Sequence, residues 1–157
     1  MKIFLWQIGK TSFKYLDQGV DLYVKRIKKY GNLSVETIPD VKNAGNFSPE
    51  VLKKKEGESI LKKLSDDDFL ILLDENGKSF SSVEFADYLQ QHMNTGRRRI
   101  VFLIGGAFGF SEEVYQRSNF QVSLSKMTFS HQMIRLFFVE QVYRAFSILN
   151  NSPYHNE

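Results

Sequence analysis

The chain has 157 residues, 42% of them hydrophobic and 25% charged, which suits one globular domain and excludes a disordered or fibrous protein. It has no cysteine, so disulfides and thiolate metal sites are excluded and a reducing, cytoplasmic setting is expected. A net charge of +3 and a pI near 9.0 lean towards a polyanionic partner without demanding one.

The opening "MKIFLWQIGK" lacks the long apolar region and cleavage site of a signal peptide, and Ile3 to Ile8 reads as a first strand. Phe13, Leu16, Val20, Tyr23, Val24 and Ile27 recur at three- and four-residue spacing, which predicts a helix over 11–30, closed by Gly31. Leu33 to Ile38 alternates like a strand, and residues 39–47 form a polar loop. Ser48 followed by Pro49 is a helix-start signal for "SPEVLKKKEGESILKKL", where the internal Gly57 costs about 1 kcal/mol against alanine. "DFLILL" (68–73) is a short apolar run expected of a strand covered on both faces, with "DENGKS" after it as a turn.

Ser81 and Glu84 are spaced as a capping box for a helix to Asn94. Ile100 to Ile104 is a second buried strand, Ser111 caps a short helix over 112–117, and Gln121 to Leu124 is a last strand. A long helix is predicted over 131–149. It is apolar on most of its circumference, more than one sheet face in a small domain is expected to bury, so a twofold dimer through this helix is expected. The alternation βαβαβαβαβα predicts a single-domain α/β fold with a mainly parallel sheet and helices on both faces. No stretch approaches the ~20 apolar residues that span a bilayer, so no membrane association is expected.

The glycine turn in "FLIGGAFGF" (102–110) admits three nucleotide readings. A P-loop needs a lysine after the last glycine, and none follows Gly109. A dinucleotide fingerprint needs another spacing and a place after the first strand. What remains is a turn at the carboxyl end of a central strand, where α/β folds place ligands, competing with a plain tight turn. No His, Asp or Glu cluster has metal-ligand spacing, so no metal is expected.

"IGGAFGF" (104–110), "LSKMTFSHQMIRLFFVEQVYRAFSI" (124–148) and "PYH" (153–155) carry a specific resemblance, supported by "KEGE" (55–58) and the "MKI…GK" start. Across its whole length the chain resembles the small bacterial large-subunit rRNA pseudouridine N3-methyltransferases of the SPOUT superfamily. It departs from their usual pattern at Ser130, where many have proline, at Asn151 and Ser152, where a glycine or histidine is common, and at Asn156, where a basic residue is common.

The resemblance implies one SPOUT domain over 1–157, with a deep C-terminal trefoil knot and the cofactor site within about 70–157. It implies S-adenosylmethionine as cofactor, gripped mainly by backbone at Leu73, at Gly105, and at Leu124, Ser125, Lys126, Met127, Thr128 and Phe129. The implied reaction is methylation of N3 of a pseudouridine in 23S rRNA of the assembled ribosome, by a homodimer. Because N3 must lose a proton, His131, Arg135, Tyr154 and His155 are the catalytic candidates, the tail of one subunit completing the site of the other. Structural readings compete at each: a loop cap at His131, an ion pair of Arg135 with Glu140 or Glu112, and a frayed terminus at Tyr154 and His155. Glu140 and Arg144, at i and i+4, are expected to pair. Lys25 to Lys29 and Arg97 to Arg99 are the expected rRNA contacts. Two rival functions remain open: methylation of another RNA such as tRNA, and a non-catalytic ribosome-binding factor.

Overall fold

The structure is a computed structural model that describes residues 1–156. Its elements in chain order are β1 (Lys2–Ile8), α1 (Lys14–Ile27), β2 (Asn32–Ile38), a 3-10 turn (Ala44–Asn46), α2 (Pro49–Lys63), β3 (Phe69–Ser79), α3 (Ser82–Asn94), β4 (Arg99–Ile104), α4 (Glu112–Arg117), β5 (Phe120–Ser123) and α5 (Met133–Leu149). The five strands form one sheet in the order β2-β1-β4-β3-β5, and every neighbouring pair is parallel. Parallel pairing forces each connection to cross a face of the sheet, so both faces carry helices.

The period of two along the strands assigns the layers. Ile71, Ile100, Phe102 and Ile104 point to one face, packed on α1, α3 and α5. Leu70, Leu72, Val101 and Leu103 point to the other, packed with Ile60 of α2 and Val114 of α4. The Phe102 ring centroid lies 4.7 Å from that of Phe138 and 6.2 Å from that of Phe85, so β4, α5 and α3 meet at one aromatic junction.

Local signals set most element starts. The Ser48 hydroxyl accepts from Val51 N, with Pro49 in the first turn. Ser81 and Glu84 form both bonds of the capping box, and Ser111 accepts from Val114 N. Before α5, whose N-cap Gln132 makes no side-chain cap bond, the Ser130 hydroxyl accepts from Met133 N at 3.1 Å.

Three expectations change. "DENGKS" is not a turn: β3 pairs with β5 through Leu73, bulges over 74–77, and resumes pairing at Lys78 and Ser79. The bulge turns Asp74 and Glu75 towards the end of the sheet, where a regular strand would have continued straight. Gly57 is no mere helix weakness, because a Cβ there would lie 2.4 Å from the Ser111 hydroxyl, so glycine lets α2 approach α4. The third change concerns α5. It lies between α1 and α3, with Phe138, Val139 and Val142 wholly buried inside a single chain. The sheet and two flanking helices cover most of its apolar surface and leave Phe137 exposed, so the apolarity of α5 does not by itself demand a second subunit.

Candidate functional site

A cavity of about 620 Å³ opens between the bulge within β3 and the turns that follow β4 and β5. It is lined by residues 73–76 at the β3 bulge, 104–110 from the glycine turn, and 124–131, Lys126 excepted, from the loop after β5, together with Tyr115 and Ile134. The size falls within the roughly 300–1,000 Å³ usual for small-molecule sites.

Each wall is held by identifiable contacts. The glycine turn closes through Gly109 N donating to Gly106 O at 3.2 Å, and Gly109 adopts φ +85°, which favours glycine. At Gly106 the close neighbour is a side chain: a Cβ there would lie 2.3 Å from a carboxyl oxygen of Glu56, which would have to shift to admit it. In the last loop Ser123 Oγ donates to Ser125 O at 2.8 Å, and Ser125 Oγ accepts from Met127 N at 2.9 Å. Thr128 Oγ1 donates to Glu75 at 2.8 Å, tying this loop to the β3 bulge. Asp74 accepts from the Tyr115 hydroxyl, and burial together with that bond raises the Tyr115 pKa.

Of the expected cofactor residues, Leu73, Gly105, Leu124, Ser125, Met127, Thr128 and Phe129 line the cavity, whereas Lys126 is exposed and does not. The expected catalytic residues divide. His131 lines the cavity; burial and the charge of Arg135 lower its pKa, against an opposing effect of Asp40. Arg135 does not reach the cavity. It is wholly buried, donating to Ile8 O at 2.8 Å and Thr11 Oγ1 at 3.0 Å, and it pairs with neither Glu140 nor Glu112. Its guanidinium thus fastens the end of β1 to α5.

Tyr154 and His155 lie against the second half of α5. The Tyr154 ring packs on Tyr143 at 4.6 Å, its hydroxyl donates to Glu140 at 2.9 Å, and His155 Nδ1 is 3.3 Å from Arg144. Burial first, then the bonds with Tyr23 and Glu140, raise the Tyr154 pKa, so the phenol keeps its proton. Glu140 and Arg144 form the expected pair at 2.5 Å. The tail is thus docked on its own helix rather than frayed, and neither residue lines this chain's cavity.

The basic clusters also lie away from the cavity. Arg99 opens β4, whose other end lines it, roughly 16 Å away at 3.3 Å per residue. Arg99 pairs with Asp68 at 2.7 Å, and Arg97 stacks over Phe69 at 4.0 Å. Lys25, Arg26, Lys28 and Lys29 are exposed at the end of α1 that leads into the start of β2.

What sequence reasoning missed are the acids. Asp74 and Glu75 line the cavity, and Glu56 sits buried behind Gly106. Glu56 had one sequence signal, its place in the "KEGE" stretch that carried part of the resemblance.

A parallel α/β sheet with a loop-built cavity at its strand ends is the frame of a small-molecule-dependent enzyme. A family model described as "Predicted SPOUT methyltransferase" matches residues 1–155, and the chain belongs to that family of methyltransferases. The protein called "Ribosomal RNA large subunit methyltransferase H" in Flavobacterium johnsoniae is 56% identical over 157 residues, covering 100% of each chain. The protein of that name in Christiangramia forsetii is 54% identical over 156 residues, covering 99% of each. A solved structure from Haemophilus influenzae, described as "a probable methylase family protein", shares the fold with a TM-score of 0.51 at 13% identity; the match covers 95% of this chain and 66% of that longer one. Among the described residues no metal-binding group of His, Asp or Glu is present, and no helix is long and apolar enough to cross a membrane.

Proposed function

We propose that this protein methylates ribosomal RNA of the large subunit, taking the methyl group from S-adenosylmethionine and placing it on N3 of a pseudouridine in 23S rRNA. The observation that carries the reading is the meeting of three separate segments, the bulge at 73–76 and the loops at 104–110 and 124–131, around one cavity, in a chain 56% identical to a relative named as a methyltransferase of the large-subunit ribosomal RNA.

The residues present fit the donor. The cavity has the size for a nucleoside-like ligand, its glycine turn brings main chain close, and Asp74 and Glu75 add negative charge suited to a cationic ligand. Leu73, Gly105, Leu124, Ser125 and Met127 to Phe129 would hold it. When bound, the donor supplies a methyl group on a sulfonium, already activated towards attack by nitrogen. The task left to the chain is to place the base in line and to receive the N3 proton. His131 lines the cavity, and burial with the charge of Arg135 lowers its pKa, which favours the neutral ring whose free nitrogen would receive that proton. Arg135 acts by position, fixing β1 to α5 behind the histidine.

Tyr154, His155 and Arg144 complete the site from the second subunit of a homodimer. Their docking on α5 away from this chain's own cavity supports that arrangement. The exposed apolar rings of Phe129 and Phe137, 5.0 Å apart beside the cavity, give the dimer a surface. A trefoil knot within about 70–157 accords with the path of the last segment. After β5 at the sheet edge the chain returns past the ends of β3 and β4, and Gln132 accepts from Ser12 N at 2.8 Å beside β1.

The test is transfer of labelled methyl to ribosomes lacking the modification, with the modified nucleotide mapped by mass spectrometry. Label on a tRNA instead would replace the substrate. No transfer, together with no donor binding by calorimetry, would leave a ribosome-binding factor.

A further inference from the structure

Glu56 is the most unusual polar group near the cavity. It lies on α2, on the opposite side of the glycine turn from the donor space, and is only 6% exposed. Its Oε1 has no hydrogen-bond partner among the described residues. A Cβ at Gly106 would meet its two carboxyl oxygens at 2.3 and 2.9 Å, so the carboxyl is seated directly on the Gly106 backbone. A buried carboxyl oxygen without a partner is costly, and a fold keeps one where its position is used.

The next residue anchors α2 in the same way. Gly57 lets the helix rest on Ser111, the cap of α4, which follows the glycine turn. The turn is therefore backed at two points by one helix. Gly106 and Ala107 line the cavity on the other side.

We propose that Glu56 is a positioning residue for the methyl donor: its carboxyl, wedged between α2 and Gly106, sets how deep the glycine turn stands in the cavity. Here the inference rests on the donor site proposed above. Burial first, and then the neighbouring charge of Asp40, raise the pKa of this carboxyl, which disfavours its charged form. Shape rather than charge is then what the turn requires, and glutamine can replace the acid. Removing the carboxyl leaves a void behind Gly106 into which the turn relaxes.

Calorimetric titration with S-adenosylmethionine tests this on the full chain. Wild type and E56Q are expected to bind within about twofold of each other, and E56A about tenfold more weakly. In transfer assays E56A raises the donor KM while kcat at saturating donor stays near wild type, a split that general loss of stability does not produce. G106A is expected to bind poorly because its methyl strikes Glu56, and G106A combined with E56A to recover most of that loss, since the void accepts the methyl. If E56A does not fold, E56D, which withdraws the carboxyl by one methylene, carries the same expectation. Donor affinity unchanged in the folded shortened variant, or a double variant no better than G106A, overturns the inference. A wild-type chain that binds no donor overturns the function proposed above instead, and this inference with it.

Discussion

The Tyr154 hydroxyl donates to Glu140 at 2.9 Å, and the same carboxylate oxygen holds Arg144 at 2.5 Å. One acid on α5 thus fixes both the tail and the cation beside it. If the tail completes a second subunit's site, Glu140→Ala should lower kcat by about tenfold or more and leave S-adenosylmethionine binding unchanged. Tyr154→Phe, which keeps the ring contact with Tyr143, should lose less. Methyl transfer to unmodified ribosomes beside donor calorimetry separates the effects; equal loss of donor binding would place the tail at the donor instead.

His131 offers the proton acceptor. Removing a general base typically costs 10²–10⁴ in rate, so His131→Asn should reduce kcat by about a hundredfold at unchanged donor affinity. Burial and Arg135 place its pKa below 6.5, so the competent neutral form persists at neutral pH and is lost as pH falls through that lowered value. A pH-rate profile flat through the acid range would remove His131 from this role.

Glu56 predicts a pH effect on stability. Its folded-state pKa is raised above 4.5 by burial and Asp40, so the stability tied to its neutral form is complete below that value and declines as pH rises through the folded pKa. Glu56→Gln cannot ionise. It should match wild type near pH 4 and unfold at a higher temperature at pH 8. Thermal scans at both values check this, and a difference of the opposite sign would mean that the carboxylate is stabilised.

The order of strands and helices was legible because short continuous apolar runs, such as 100–104, and caps at Ser48, Ser81 and Ser111 are local signals. Two misreadings share one cause. The bulge at 74–77 looks like a turn because its residues are turn formers, and only pairing with β5 keeps it within the strand. Gly57 looks like a defect because the Ser111 it admits is 54 positions away. The cavity walls were carried by the family resemblance rather than by any periodicity. Arg135 could not be placed from sequence, since a buried guanidinium and an exposed one read alike until Ile8 O is seen to receive it.

Gly57→Ala pits a helix-propensity gain of about 1 kcal/mol against overpacking worth about 1–3 kcal/mol. The added carbon would stand 2.4 Å from Ser111 Oγ and 3.3 Å from Val114 Cγ2, so the clash is expected to win. The variant should melt below wild type, and adding Ser111→Gly, which withdraws the side chain, should recover part of the loss. An alanine variant more stable than wild type would show that α2 can shift from α4 at little cost.

Neighbours on α5 separate folding from association. Phe138 is wholly buried against Phe102 and Phe85, so Phe138→Asp would place a carboxylate in the core. Truncating a buried phenylalanine alone costs about 3–5 kcal/mol, a large share of the roughly 5–15 kcal/mol that holds a domain together. That variant should fail to fold and so says nothing about subunits. Phe137 is 37% exposed and packs on Phe129, itself 41% exposed. A charge there stays in water in the monomer and is buried only if a second chain covers it. Phe137→Glu should therefore keep a melting temperature near that of the isolated fold, shift sedimentation from dimer to monomer, and lose methyl transfer. A variant that remains dimeric and active would move the interface off this face.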